Sequence, residues 1–226
     1  MKFTLTAFSL IASALTSSAA LYTLNNGSGA SAAGVQTSEG YVFRSSTLAG
    51  ATLGITGQNI QTSAGPGVIA FGFFSTDALS GLSASSLVSL FTQFGNVNTF
   101  GGASTGGNRS VFSTAQNQTI GSTYNNKPLY FFAGNGSTFL NSTQFLVAKM
   151  DSQVFAVADD TTNAVTPKVI AINPGNSTAI LGTEITNVYT TNTDATTTAG
   201  WQMVPEPSTA LLGAIGALGL LRRRRN

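Results

Sequence analysis

Gly65-Pro66-Gly67-Val68-Ile69-Ala70-Phe71-Gly72-Phe73-Phe74 is the stretch whose reading decides the fold of this 226-residue chain. Gly-Pro-Gly is a strong turn signal, because glycine frees φ and proline pre-sets it. The run Val68–Phe74 that follows is rich in β-branched and aromatic residues, which suit a pleated, buried surface. Other short apolar runs bounded by turn residues lie on both sides: Leu21–Leu24, Tyr41–Arg44, Ala51–Ile55, Arg109–Phe112, Leu129–Ala133, Gln144–Met150, Val154–Ala158, Lys168–Ile172 and Glu184–Tyr189. Asn125-Asn126 and Asn173-Pro174-Gly175 mark further turns, and Asp151-Ser152-Gln153 is expected to turn a hairpin between Phe145–Met150 and Val154–Val157. Many short strands at this spacing predict an all-β fold, a single β-sandwich-like domain.

One segment departs from that pattern. In Ser83–Phe94, the apolar residues Ala84, Leu87, Val88, Phe91 and Phe94 follow helical spacing. Ser83 is placed to cap the start and Gly95 to end the helix in a left-handed turn. A short amphipathic helix against the sheet edge is therefore expected. Asn96 to Arg109 reads as a surface loop. Thr190 to Met203 reads as a Thr-rich linker, or as a last strand in which Trp201 and Met203 close the core.

The two ends have a different chemistry. Met1 to Ala20 reads as a secretory signal peptide: Lys2 and the free amine, an apolar stretch from Phe3 to Leu15, and small residues Ser18-Ala19-Ala20 before a cleavage point. At the other end, Val204-Pro205-Glu206-Pro207 is held extended by its prolines, each of which also biases the residue before it. Ser208 to Leu221 is uncharged and helix-compatible, and its 14 residues reach roughly 21 Å as a helix. That is short of a bilayer core of about 30 Å, so the segment is a marginal transmembrane helix. Arg222, Arg223, Arg224 and Arg225 follow as a stop-transfer cluster retained on the cytoplasmic side. This arrangement puts the body outside the cytoplasm, with the inner membrane as a transient support.

Between those ends, residues 21–203 form the body, with strands expected over 21–189. Its five bases (Arg44, Arg109, Lys127, Lys149, Lys168) and seven acids (Glu39, Asp77, Asp151, Asp159, Asp160, Glu184, Asp194) give five minus seven, a net charge of −2. The basic character of the chain belongs to its tail, and the body has no electrostatic case for nucleic acid. The chain has no cysteine and no histidine. That excludes disulfide staples, thiolate catalysis, His-ligated zinc and Ser–His triads. No cofactor is implied. Asp159-Asp160 is the obvious carboxylate pair. Adjacent strand residues point to opposite faces, so the pair reads as a solvated turn, with Ca²⁺ binding through oxygens as the alternative.

The tail carries a resemblance. Val204-Pro205-Glu206-Pro207-Ser208-Thr209, the apolar run and the Arg cluster resemble the PEP-CTERM sorting signal (residues 204–226), a region also catalogued as the ice-binding protein C-terminal domain. The resemblance implies that an exosortase-type membrane transpeptidase recognises Pro205, Glu206 and Pro207 and cleaves nearby. It implies nothing about ice. Tyr41–Arg44 and Lys127–Phe132 are weakly similar to stretches of other exported proteins with this tail. The expected role is a non-catalytic, exported surface or extracellular-matrix protein, with exopolysaccharide as a possible contact. A lectin-like carbohydrate-binding module is the alternative. A glycan hydrolase or lyase working through carboxylates such as Asp159 and Glu184 is the second.

Overall fold

The computed structural model describes residues 21–25, 34–38, 52–53, 61–62, 67–100, 113–119, 122–155, 168–189 and 197–207. The signal peptide, Tyr41–Arg44, Asp159, Asp160, the apolar tail segment and the four terminal arginines lie outside them. In chain order the strands are β1 (Leu21–Asn25), β2 (Gly34–Gln36), β3 (Thr52–Leu53), β4 (Gln61–Thr62) and β5 (Gly67–Phe74). A helix α1 (Ala84–Leu90) follows, then β6 (Phe91–Phe100), β7 (Ser113–Thr119), β8 (Pro128–Gly134) and β9 (Gln144–Val154). The rest are β10 (Lys168–Ala171), β11 (Ser177–Leu181), β12 (Thr183–Tyr189), β13 (Thr197–Gln202) and β14 (Val204–Pro205). The described residues are thus mostly β-sheet with one short α-helix, as the apolar runs predict.

The main sheet has the order β11-β9-β8-β5-β6, with β14 also paired to β9. All its pairings are antiparallel. Two three-stranded sheets, β10-β1-β7 and β12-β13-β2, complete the body, with a small β3-β4 pair. The opening stretch owes its continuous apolar character to burial on both faces. All eight residues of β5 are buried. Its Ile69 and Phe71 join Phe131, Ala133, Leu146 and Ala148 in one core cluster, to which the three-stranded sheets contribute Leu24, Val35, Ile170 and Trp201. Val68 and Ala70 point the other way, into a cluster with Tyr130, Phe132, Phe145 and Val147 that α1 covers with Ala84 and Leu87. Period-two alternation therefore sends side chains into two cores rather than one core and water.

Several expectations are corrected. Asp151-Ser152-Gln153 does not turn a hairpin; it lies inside β9. Val154 pairs with Pro128 and Lys149 with Tyr130, so the turn-prone residues are absorbed as an irregularity of that ladder. The Asp151 N–H donates to the Asn176 carbonyl at 3.1 Å, and its carboxylate accepts from the Thr178 hydroxyl at 2.6 Å, which satisfies the residue without a turn.

The helix is also shorter than its apolar spacing predicts. Ser83 caps it as expected, accepting from the Ser86 N–H at 3.3 Å. Phe91 then turns extended, and β6 pairs with β5 from Phe91 opposite Phe74 to Phe100 opposite Gly67. Phe91 packs on Phe74 and Phe132, while Phe94 packs on Tyr124 and Phe155 in the other core. A separation of three places the two rings on opposite strand faces, and the spacing that mimics a helix is explained by two cores. Gly95, with φ 69°, takes up a register shift in β6 instead of ending a helix. The expected loop from Asn96 is strand as far as Phe100.

Finally, Thr197–Gln202 is a strand and not a linker. Trp201 is fully buried, as is Met203 nearby, so the last-strand alternative describes these residues. Among the described residues no helix is long and apolar enough to cross a membrane.

Candidate functional site

The site is built where the chain leaves the body. Trp201 anchors β13, pairing with Val35 of β2 and Glu184 of β12 and packing its ring at 4.9 Å from that of Phe131. The Met203 N–H donates to the Gln36 carbonyl at 2.9 Å, and the Gln202 side chain donates to the Ser38 carbonyl at 2.7 Å. The Ser38 N–H in turn donates to the Gln144 side-chain oxygen at 2.7 Å. These contacts deliver the next residues to the end of β9. Val204 pairs with Phe145 and Pro205 with Gln144. A proline is tolerated there because β14 lies on the outer side of β9, and an edge position asks for no second ladder donor.

A preformed loop receives the following residue. The Asn135 carboxamide oxygen accepts from the Thr143 and Gln144 N–H groups at 2.8 and 3.0 Å. The Ser142 hydroxyl donates to the Thr138 carbonyl and accepts from the Gly136 N–H. Phe139 stacks on Phe132 at 4.1 Å between centroids, which pins the loop to the sheet. So held, the Thr143 carbonyl accepts the Glu206 N–H at 2.7 Å. The Glu206 carboxylate accepts the Ala84 N–H at 2.7 Å. Ala84 is the first residue of α1, whose early N–H groups have no partner within the helix. Ser83 satisfies one of them and Glu206 another.

The sequence predicts Pro205-Glu206-Pro207 as an open strand. It is extended, but it is not open: its backbone is paired to the body and its one charged side chain is bonded. Pro205 and Pro207 remain exposed and Glu206 half-buried. A groove of about 310 Å³ includes them in its lining, together with Leu82, Ile180 and Gly182.

Residues 204–225 match the PEP-CTERM protein-sorting motif. The matched segment starts at β14 and includes all three motif residues, Pro205, Glu206 and Pro207, and all four arginines, Arg222 to Arg225. The chain therefore carries an exosortase-type sorting signal of an exported protein, and the motif implies transient membrane anchoring before processing by exosortase, a membrane enzyme. No curated protein and no solved structure matches the chain.

Elsewhere the chemistry-bearing residues are spread out. Glu184 sits in a shallow hollow of about 420 Å³ with Gln36 and Thr186, and its carboxylate accepts the Ala179 N–H at 3.3 Å. Its expected partner Asp159 lies outside the described residues. Among the described residues, no three His, Cys, Asp or Glu groups come together as a metal site.

One cluster was not read from the sequence. The Tyr130 hydroxyl donates to the Asp77 carboxylate, and Lys149 bonds the other carboxylate oxygen at 2.7 Å. The Lys149 ammonium also lies 5.5 Å from the Tyr130 ring centre. The hydrogen bonds from Lys149 and Tyr130 hold the Asp77 carboxyl below its ordinary range. Burial, with the bond to Asp77, pushes the Tyr130 phenol up to about 12. A phenol so held stays protonated at neutral pH and donates to Asp77. The available signal was Lys149 breaking an apolar run at a position sharing a strand face with Phe145 and Val147.

Proposed function

We propose that this chain is an exported, non-catalytic surface or extracellular-matrix protein whose Pro205-Glu206-Pro207 is read by an exosortase-type transpeptidase. The motif match at residues 204–225, continuous with the last strand of the body, carries this reading. The two proline rings are exposed at the surface of the body, beside the docked backbone of Val204 and Glu206. For the body, composition supports a structural or adhesive role. It is low in charge, lacks histidine and cysteine, and is rich in the hydroxyl and amide groups that hydrogen-bond to polysaccharide. The sole tryptophan is fully buried, so it gives no stacking platform to a lectin-like module.

The test replaces Pro205, Glu206 and Pro207 with alanines and follows the protein through cell fractions. The variant is expected to stall in the inner membrane with its tail intact. Arrival in the wild-type compartment with the wild-type C-terminus would show that the motif is not read.

A further inference from the structure

We infer that the body of the protein controls access to its own sorting motif: β9, the Thr143 carbonyl and the start of α1 form a latch that holds Val204–Pro207 closed, and the sorting enzyme reads the undocked form. The inference rests on the proposed reading of the motif by such an enzyme.

Three contacts make the latch, and each belongs to a different element. Val204 and Pro205 occupy the edge of β9, the Glu206 N–H is held by Thr143, and the Glu206 carboxylate by Ala84. An enzyme that grips an extended peptide competes for the same backbone groups. It also competes for the only charge in the motif. The carboxylate bond spans 122 positions of sequence, so it forms only when the body has folded.

Reach makes the same point. Met203 is buried, whereas the apolar tail segment begins at Thr209. With the motif docked, almost no free chain separates the folded body from the membrane surface. Releasing the four residues from Val204 to Pro207 adds roughly 13 Å of extended chain. That is enough to separate the body from a cleavage site at the bilayer. Docking thus shields the signal of a folded body, and the undocked fraction of the motif sets the rate of processing.

The geometry supplies a selective perturbation. Ala84 follows a capping residue whose backbone is already extended (φ −72°, ψ 161°), the conformation that a following proline requires. Proline is favoured at the first helical position, where it removes only the N–H. Ala84→Pro therefore deletes the donor to Glu206 and leaves the helix. Ala84→Gly keeps the donor and serves as the control. Loss of a charge-assisted bond to a half-buried carboxylate is expected to raise the open fraction about tenfold.

In pulse-chase labelling of the full chain in its host, Ala84→Pro is expected to lose its tail about tenfold faster than wild type, and Ala84→Gly at the wild-type rate. Processing of Ala84→Pro at or below the wild-type rate, or Ala84→Gly matching Ala84→Pro, overturns the latch. If the triple-alanine motif variant is processed normally, the underlying reading of the motif fails instead. Independently of folding in the variants, hydrogen exchange on the unprocessed wild-type chain reports on residues 204–207, where only Val204 and Glu206 carry an amide N–H. Their protection supports the latch. Exchange at the rate of a free peptide overturns it.

Discussion

Replacing Trp201 with alanine is the sharpest test of how the motif is attached to the body. The indole is fully buried in the core shared by the main sheet and β2-β13-β12. Burying an aromatic side chain of about 150–250 Å² at ~25 cal/mol per Å² is worth roughly 4–6 kcal/mol. The edge-to-face contact with Phe131 adds about 0.5–1.5 kcal/mol. Against this, the Trp201 Nε1–H is buried with no hydrogen-bond partner among the described residues, an omission that costs about 1–3 kcal/mol. The net loss for Trp201→Ala is therefore about 3–5 kcal/mol. Trp201→Phe keeps a ring against Phe131 and removes the orphan donor, so it should cost less than about 2 kcal/mol. Equilibrium urea unfolding of the exported protein measures both, provided the slope with denaturant is unchanged. A cost under about 1 kcal/mol for Trp201→Ala, or equal costs for the two variants, would refute the placement of β13 in the core.

Further perturbations bear on the sheet and its polar cluster. Gly72→Ala should destabilise by at least ~2 kcal/mol in the same assay, because a Cβ there falls within 3.0 Å of the Thr92 backbone carbonyl, which β5-β6 pairing holds in place. Asp77 has a folded pKa below the ordinary 3.8, so its contribution is complete above that pH and fades as pH falls through the folded value. Being half exposed, the pair with Lys149 adds under about 1 kcal/mol. The stability gap between wild type and Asp77→Asn should therefore be flat near neutral pH and close in acid. A gap that persists in strong acid contradicts the assignment. For Tyr130, raised from 10.0 to about 12, the contribution is complete below pH 10 and is lost as pH rises toward the folded value. Ultraviolet titration should show one phenol ionising near 12 that disappears in Tyr130→Phe.

How far the chain could be read before its structure depends on which physical signal each segment carried. Val68–Phe74, Leu129–Ala133 and Gln144–Met150 were legible because strands buried on both faces leave uninterrupted apolar runs. The strands Ser113–Thr119 and Ser177–Leu181 were not: their Ser, Thr, Gln and Asn residues look like loop, and only pairing to β1 and β9 makes them strands. Phe91 and Phe94 misled because a spacing of three satisfies a helix face and also two opposite strand faces with a core on each. Asp151-Ser152-Gln153 misled because turn-prone residues also fit a bulge. At the site, Pro205-Glu206-Pro207 could be found by motif and its extended backbone by proline. Its docking could not, since the partners Gln144, Thr143 and Ala84 are distant in sequence and all three contribute backbone atoms that leave no residue signature.

The sorting account as a whole is tested most directly by the intact mass of the protein recovered from its native host. A species beginning at Leu21 and lacking Arg222–Arg225 is the expected result. A mass equal to all 226 residues, found in the cytosolic fraction, would contradict it.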